Sequence, residues 1–98
     1  MDQFTSRIPF AELETSANKL KSIAHPVRIA ILDLLRINGK LTVTEIQESL
    51  NIEQTATSYH LIQMKNKKIV RSEKKANKMF YSISNNQIPL ILDIMLSE

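Results

Sequence analysis

Residues 42–66 read TVTEIQESLNIEQTATSYHLIQMKN, and this stretch decides the fold of the chain. Thr42 and Glu45 match a capping box, in which each side chain accepts from the other residue's backbone N–H, so we predict a helix over 43–50. After a short polar turn, a second helix is predicted over 54–66. Two short helices joined by a tight turn form a helix-turn-helix, a unit that places its second helix in the major groove of DNA.

The second predicted helix carries short hydrogen-bonding side chains where an exposed helix usually carries Glu and Lys in i, i+4 pairs. Thr57, Leu61 and Met64 are expected to face the core. The candidate DNA contacts on the opposite side are Gln54, Thr55, Ser58 and Tyr59. A glutamine amide can bond adenine in two places, and hydroxyls can reach bases or phosphates. This composition favours DNA contact over an ordinary solvated face.

Three further residues near this helix carry open alternatives. His60 is included among the candidate DNA contacts, and it either meets a phosphate or lies half-buried beside Leu61, with a metal role a distant third. Arg28 either binds a phosphate from its helix N-terminus or pairs with a carboxylate within the fold. His25 is expected to cap a helix rather than to bind a metal.

A lysine-rich hairpin is predicted over 69–84, where the apolar period changes to that of a strand. Its polar tip, 74–78, includes Asn77, the residue there best able to adopt a positive φ. Basic residues concentrate in this region, since 65–78 hold seven Lys or Arg against one Glu in a chain of net charge +3. Candidate contacts to the minor groove or to phosphates are Lys74, Lys75 and Lys78, the alternative being a solvated loop.

Apolar residues at helical spacing predict three more helices, over 10–23, 26–38 and 86–97. The middle one should be central and covered on two sides, and Gly39 should end it. The first has a thin apolar stripe and the last is apolar nearly all round, so a homodimer interface formed by these two helices is expected. Residues 1–8 show no periodicity and are expected to be a disordered tail.

The totals fit one domain over residues 1–98, of the mainly α (α+β) class. A 98-residue chain with one glycine and three prolines does not suit a β-sandwich or barrel. We therefore predict a winged helix-turn-helix with five helices and a two-stranded β-hairpin wing. The sequence has no catalytic set and no glycine-rich phosphate loop, so no enzyme is expected. It has neither a signal peptide nor an apolar run that would span a membrane, so a cytoplasmic protein is expected.

The order of these elements and three motifs resemble the ArsR/SmtB-type transcriptional repressors over about residues 18–84. Residues 21–32, KSIAHPVRIAIL, are similar to the family's ALADPTRLRIL opening. Residues 54–61 resemble its SQxxxSxHL recognition helix through Ser58, His60 and Leu61, and the family's VR…GR…YY wing is matched by Arg71, Lys78 and Tyr81. The resemblance implies a repressor that binds double-stranded DNA, and a homodimer would bind an inverted-repeat operator.

The metal ligands of this family are not matched. Metal-sensing members open the third helix with two cysteines of a CVC sequence, and Thr42 and Thr44 stand at those positions. The other family site uses aspartate and histidine on the last helix, which offers Asp93 and Glu98 and no histidine. No metal and no cofactor are therefore expected. Glu53 stands where the family has a capping serine, which puts the side-chain cap in doubt.

Two alternatives from other classes accompany this hypothesis. One is a metal- or small-ligand-responsive sensor of the same family, whose effector would be unknown. The other is a protein-interaction winged helix without DNA affinity, which would expose more Leu, Met or aromatic side chains on the second helix of the helix-turn-helix. The sequence leaves the operator and the inducing signal undetermined.

Overall fold

The computed structural model describes residues 7–97, so residues 1–6 of the predicted tail and Glu98 lie outside the described residues. Within that range, five helices and three strands occur. They are α1 (Phe10–Ile23), α2 (Pro26–Asn38), β1 (Lys40–Thr42), α3 (Val43–Leu50), α4 (Gln54–Asn66), β2 (Val70–Lys75), β3 (Lys78–Ile83) and α5 (Ile88–Leu96). The predicted winged helix-turn-helix class and its five helices are confirmed.

Helix α2 is the central element, as predicted. It contacts α3, α4, α5 and strands β1 and β3. Ile31, Leu32 and Leu35 on α2 are almost wholly buried, together with Ile46 of α3 and Leu61 of α4. Leu32 lies outside the predicted apolar stripe, and its burial confirms that α2 is covered on more than one side.

Both ends of α2 follow from local chemistry. Pro26 lies in the first turn, where its missing N–H leaves no bond unmade, and the Nδ1 atom of His25 accepts from the backbone N–H of Val27 at 3.1 Å. The predicted capping role of His25 is therefore confirmed. At the other end Gly39 has φ 86° and ψ −64°, and its N–H donates to the carbonyl of Leu35 at 2.8 Å. This backbone conformation strongly favours glycine.

The capping box of α3 is present. The backbone N–H of Glu45 donates to the Thr42 hydroxyl at 3.1 Å, and the N–H of Thr42 donates to the Glu45 carboxylate at 2.8 Å. Asn51 ends α3 in the left-handed region with φ 55°. Glu53 stands before α4 without a side-chain cap, and its carbonyl instead accepts from the Thr57 hydroxyl at 2.9 Å.

The predicted two-stranded hairpin is present as β2 and β3, but the described sheet also includes β1, in the antiparallel order β1-β3-β2. Strand β1 pairs with β3 so that Leu41 lies opposite Tyr81 and Thr42 opposite Phe80. A segment of three residues is too short to show the alternation that marks a strand, and its partner lies some forty residues further along the chain. The prediction missed this strand for that reason.

The tip of the hairpin is also tighter than predicted. Strands β2 and β3 extend to Lys75 and Lys78, which face each other across a two-residue turn. Ala76 and Asn77 in that turn have φ values of 52° and 66°. Two successive positive φ values match the turn that suits the twist of a hairpin, and Asn77 adopts the conformation predicted for it.

Helix α5 is shorter than the predicted 86–97, and neither Ser84 nor Asn86 caps it. The Asn85 side chain instead accepts from the backbone N–H of Gln87 at 2.9 Å, just ahead of the helix. The Ser84 hydroxyl donates to the carbonyl of Lys68 at 2.8 Å, which ties this loop to the end of α4. In addition, Arg36 on α2 pairs with both Asp33 and Asp93, and the second pair fixes α5 to α2.

Helix α1 projects from the rest of the domain. Every residue from Phe10 to Lys21 is exposed, and burial begins only at Ser22 and Ile23. The radius of gyration is 15.6 Å, whereas a compact domain of this length has a radius of about 13 Å. The structure therefore leaves most of α1 without a covering element among residues 7–97.

Two substitutions with opposite expected effects test the positive φ values at Gly39 and Ala76. Gly39→Ala should lower the free energy of unfolding by about 1–2 kcal/mol, because an L side chain disfavours this backbone conformation. An added Cβ would meet nothing within 4 Å, so the loss would come from the backbone alone. Ala76→Gly should leave stability equal or higher, since it relieves a positive φ. Urea unfolding of both variants measures this, and equal effects in the two would contradict the assignment.

Candidate nucleic-acid interface

Helix α4 has one buried side and one exposed side. Thr57, Leu61 and Met64 are fully buried, as predicted. The four candidate contacts lie away from that buried side: Gln54, Thr55 and Tyr59 are exposed and Ser58 is half-buried. Hydroxyls and an amide thus occupy the outward surface of the first six residues of α4, a length of about 9 Å.

A cleft joins the start of α4 to the wing. Its volume is about 440 Å³, and Gln54 lines it together with Asn77, Lys78 and Met79 of the hairpin. The first turn of α3 forms the remaining wall. The structure therefore brings Gln54 and Lys78, two residues proposed from separate motifs, to one surface.

Positive charge is concentrated at the hairpin tip. Lys75 lies directly opposite Lys78, and the neighbouring pair places Lys74 opposite Met79. Like charges that lie directly opposite each other on two strands destabilise a sheet, and an anion bound at the tip would reduce this repulsion. All three lysines are exposed.

The outer face of the sheet carries an ion pair away from the tip. Lys40 on β1 pairs with Glu73 on β2 at 3.6 Å, and its ammonium group lies 5.9 Å from the centroid of the Phe80 ring. The single acidic residue of the basic segment therefore faces a lysine on the sheet rather than the tip. The tip keeps its positive charge.

The cleft also includes polar residues that were not predicted as contacts. Thr44 in the first turn of α3 and Asn77 in the wing turn are both exposed and line the same cleft as Gln54. Their residue types gave no signal in the sequence. Their proximity depends on the pairing of β1 with β3, which the sequence did not reveal.

His60 differs from the other candidates because it is hydrogen-bonded within the fold. The Nε atom of Arg28 donates to His60 Nδ1 at 3.0 Å, and Nη1 of the same guanidinium donates to the carbonyl of Ser22 at 2.9 Å. His60 is half-buried beside Leu61, one of its two predicted alternatives. The carboxylate partner considered for Arg28 is replaced by an imidazole and a backbone carbonyl.

The surroundings of His60 oppose its charged form. Its ring centroid lies 4.6 Å from that of His25. Burial lowers the pKa of His60 below the usual histidine value, and the nearby His25 and Arg28 lower it further. The neutral imidazole, which accepts from Arg28, is therefore the favoured form.

The described residues do not fit a metal ion. Within 7–97, no group of three or more His, Cys, Asp or Glu side chains could hold one. Thr42, at a position where the resembling sensors have a cysteine, uses its hydroxyl to cap α3. In the same range, no helix has the length and apolar character needed to cross a membrane.

Comparison with known proteins identifies several relatives. A family model described as a helix-turn-helix domain matches residues 23–73. The chain is 32% identical to the transcriptional repressor PagR of Bacillus anthracis over 89 residues, covering 91% of this chain and 89% of PagR. It is 31% identical to the transcriptional repressor SdpR of Bacillus subtilis over 80 residues, covering 82% of this chain and 88% of SdpR.

Solved structures agree with these sequence matches. The crystal structure of PagR superimposes with a TM-score of 0.81 at 31% identity, covering 89% of this chain and 99% of that one. A homodimeric winged helix-turn-helix DNA-binding domain from Mycobacterium bovis, described as a possible ArsR-family regulator, superimposes with a TM-score of 0.80. It covers 96% of this chain and 86% of that one at 23% identity, a level that supports the fold alone.

Proposed function

Because this chain belongs to the ArsR/SmtB-type family of helix-turn-helix transcriptional regulators, we propose that it binds its operator as a homodimer. Each subunit would place α4 in a major groove and the hairpin tip against the adjoining backbone or minor groove. The chain is a DNA-binding transcriptional regulator, and the named repressors PagR and SdpR support a repressor role.

The shared cleft is the observation that carries the proposed DNA-binding surface. Gln54 and Lys78 line it from two different elements, so one duplex could meet both at once. In this proposal Gln54, Thr55, Ser58 and Tyr59 face base edges and phosphates. Lys74, Lys75 and Lys78 neutralise phosphates, which releases counterions and supplies much of the affinity.

The exposed side of α4 favours DNA over a protein partner. Tyr59 and Ile62 are the two large aromatic or aliphatic residues exposed on this helix, all of which is described, and they lie among hydroxyl and amide side chains. Protein interfaces are depleted in such small polar residues at their centres and use buried aromatic or aliphatic anchors. The alternative of a protein-interaction winged helix therefore has little support on this face.

The proposed dimer rests on the apolar surface of the first and last helices. The residues concerned are exposed large hydrophobics: Phe10, Leu13 and Leu20 on α1, and Leu90, Ile94, Met95 and Leu96 on α5. Between the two helices lies an apolar groove of about 280 Å³, whose walls include Leu20 and Met95. Apolar surface of this extent marks an interaction site, and a second copy of the chain would cover it.

The geometry of such a dimer constrains the operator. A twofold axis through the α1 and α5 surface would relate the two α4 helices, which must enter successive major grooves about 34–36 Å apart. The bound sequence should then be an inverted repeat. Selection from random duplexes with the purified full chain tests this, since failure to enrich any sequence would contradict the proposal and a site without symmetry would contradict the dimer.

A pair of charge-neutralising variants tests the role of the wing. Lys75→Gln should weaken DNA binding and lower the slope of log K against log salt by about one, because one phosphate contact is lost. Lys40→Gln removes the same charge from the outer sheet face, where Lys40 pairs with Glu73. It should leave the slope unchanged. If the two variants behave alike in a fluorescence anisotropy titration at several salt concentrations, the wing contact is wrong.

A second pair of variants tests the dimer. Ile94→Glu places a charge on α5, where the side chain is 75% exposed in the isolated subunit, so the subunit should still fold. Burying that charge at an interface should raise the dimer dissociation constant at least about 100-fold, or about 2.7 kcal/mol. Ile37→Glu is the matched control, because Ile37 is 70% exposed on α2. Sedimentation equilibrium decides, and a fully dimeric Ile94→Glu protein would contradict the assignment.

A further inference from the structure

Four residues meet where α1, α2 and α4 come together, and we name them the histidine–arginine cluster: Ser22, His25, Arg28 and His60. Arg28 is its centre, since one guanidinium donates to the carbonyl of Ser22 at the end of α1 and to the imidazole of His60 on α4. Ser22 is buried, and Arg28 and His60 are half-buried. The guanidinium thus links the first helix to the helix proposed to read DNA.

Both histidines of the cluster act as acceptors. His25 Nδ1 accepts from the backbone N–H of Val27, and His60 Nδ1 accepts from Arg28. Each ring must therefore be neutral at Nδ1, with its proton on Nε2. Protonation of His60 at Nδ1 would turn this acceptor into a donor, so the link between α2 and α4 would be lost.

We propose that Arg28 and His60 are positioning residues for DNA binding, which hold α4 against the α1–α2 junction and release it when His60 is protonated. The chain would then lose DNA affinity as the pH falls. This inference rests on the proposed function, because it assumes that α4 is the reading helix. It assigns His60 a contact inside the protein in place of a contact with DNA.

The charges around His60 support this direction. Arg28 from α2 and His25 from the α1–α2 junction face His60. The ring centroid of Tyr59, on the same helix, lies 5.6 Å from that of His60. Helix α1 contributes the uncharged carbonyl of Ser22, which accepts from Arg28. Among the described residues, no carboxylate forms an ion pair with His60 or Arg28. A proton on His60 would therefore add a positive charge beside Arg28 without a compensating anion.

The sign of the pH effect follows from the pKa. Burial, then His25 and Arg28, hold the pKa of His60 in the fold below its unfolded value. A histidine with a lowered pKa stabilises the hydrogen-bonded position of α4 at pH values above the ordinary histidine pKa. This stabilisation is lost as the pH falls through the pKa that His60 has in the fold. A histidine that contacts a phosphate has the opposite sign, because its protonated form gains an ion pair and binds DNA more tightly.

The test compares DNA affinity between about pH 7.5 and about pH 5.5, the range in which histidine titrates. The chain has two histidines and no cysteine, so the double variant His25→Asn with His60→Gln removes all histidine titration. Asparagine can still cap α2, and the glutamine oxygen can still accept from Arg28. The probe is the duplex enriched by selection, or a 30-base-pair duplex of arbitrary sequence at low salt.

We expect the affinity of the wild-type chain to fall by about tenfold more than that of the double variant across this range, equivalent to about 1.4 kcal/mol. Arg28→Lys keeps the charge but loses the fork that reaches two acceptors, so it should bind more weakly at neutral pH and show a flatter pH profile. Wild-type affinity that rises on acidification relative to the double variant, or that follows it, would overturn the proposal.

Two measurements without DNA separate this inference from the proposed function. NMR titration of the imidazole of His60 should give a pKa that rises toward the ordinary value in Arg28→Gln; an unchanged pKa would refute the cluster even if DNA binds. Circular dichroism must show a folded wild-type chain at the acidic end, since global unfolding there would also overturn the proposal. If no duplex binds at neutral pH, the proposed function fails, whatever the titration shows.

Discussion

Thr42 is the residue on which the relative placement of the wing and the helix-turn-helix depends. It ends β1 opposite Phe80 of the wing, and its hydroxyl caps α3 in the same backbone position. A strand end and a helix start therefore share one residue, so the direction of α3 is fixed relative to the sheet. Helix α4 follows after a turn of three residues, which carries Gln54 to the cleft that Lys78 also lines. The candidate DNA surface is thus a consequence of one pairing.

The packing of the domain around α2 leaves apolar surface exposed on α1 and α5. Helix α2 supplies much of the core, and α3, α4, α5 and the sheet pack around it. Among residues 7–97 no element covers most of α1, and small domains bury a smaller share of their surface than large ones do. The exposed Phe10 on α1 and Ile94 on α5 are the result. Burial of these side chains between two copies of the chain would contribute favourable free energy to their association.

Most of the fold could be predicted because its signals are local. A capping box, a proline in a first turn and a glycine at a helix end act over three or four residues, and all three were present in the structure. Strand β1 and the Arg28–His60 bond could not be predicted. The pairing of β1 with β3 and the bond each join residues more than thirty positions apart. Periodicity places a side chain on a face of its own helix, but it does not identify the neighbour on that face. The same limit left Thr44 and Asn77 outside the predicted contacts.

The contacts of α4 with the rest of the subunit fix the orientation of the helix that carries the candidate DNA contacts. In the described part of the chain, the Arg28–His60 bond is the one hydrogen bond between an α4 side chain and a side chain of another element. Apolar packing of the fully buried Leu61 and Met64 holds the helix against the core. The bond to a guanidinium that also contacts the end of α1 adds a directional restraint. A displacement of the end of α1 would therefore act on α4 through the Arg28 guanidinium as well as through the direct contact between the two helices.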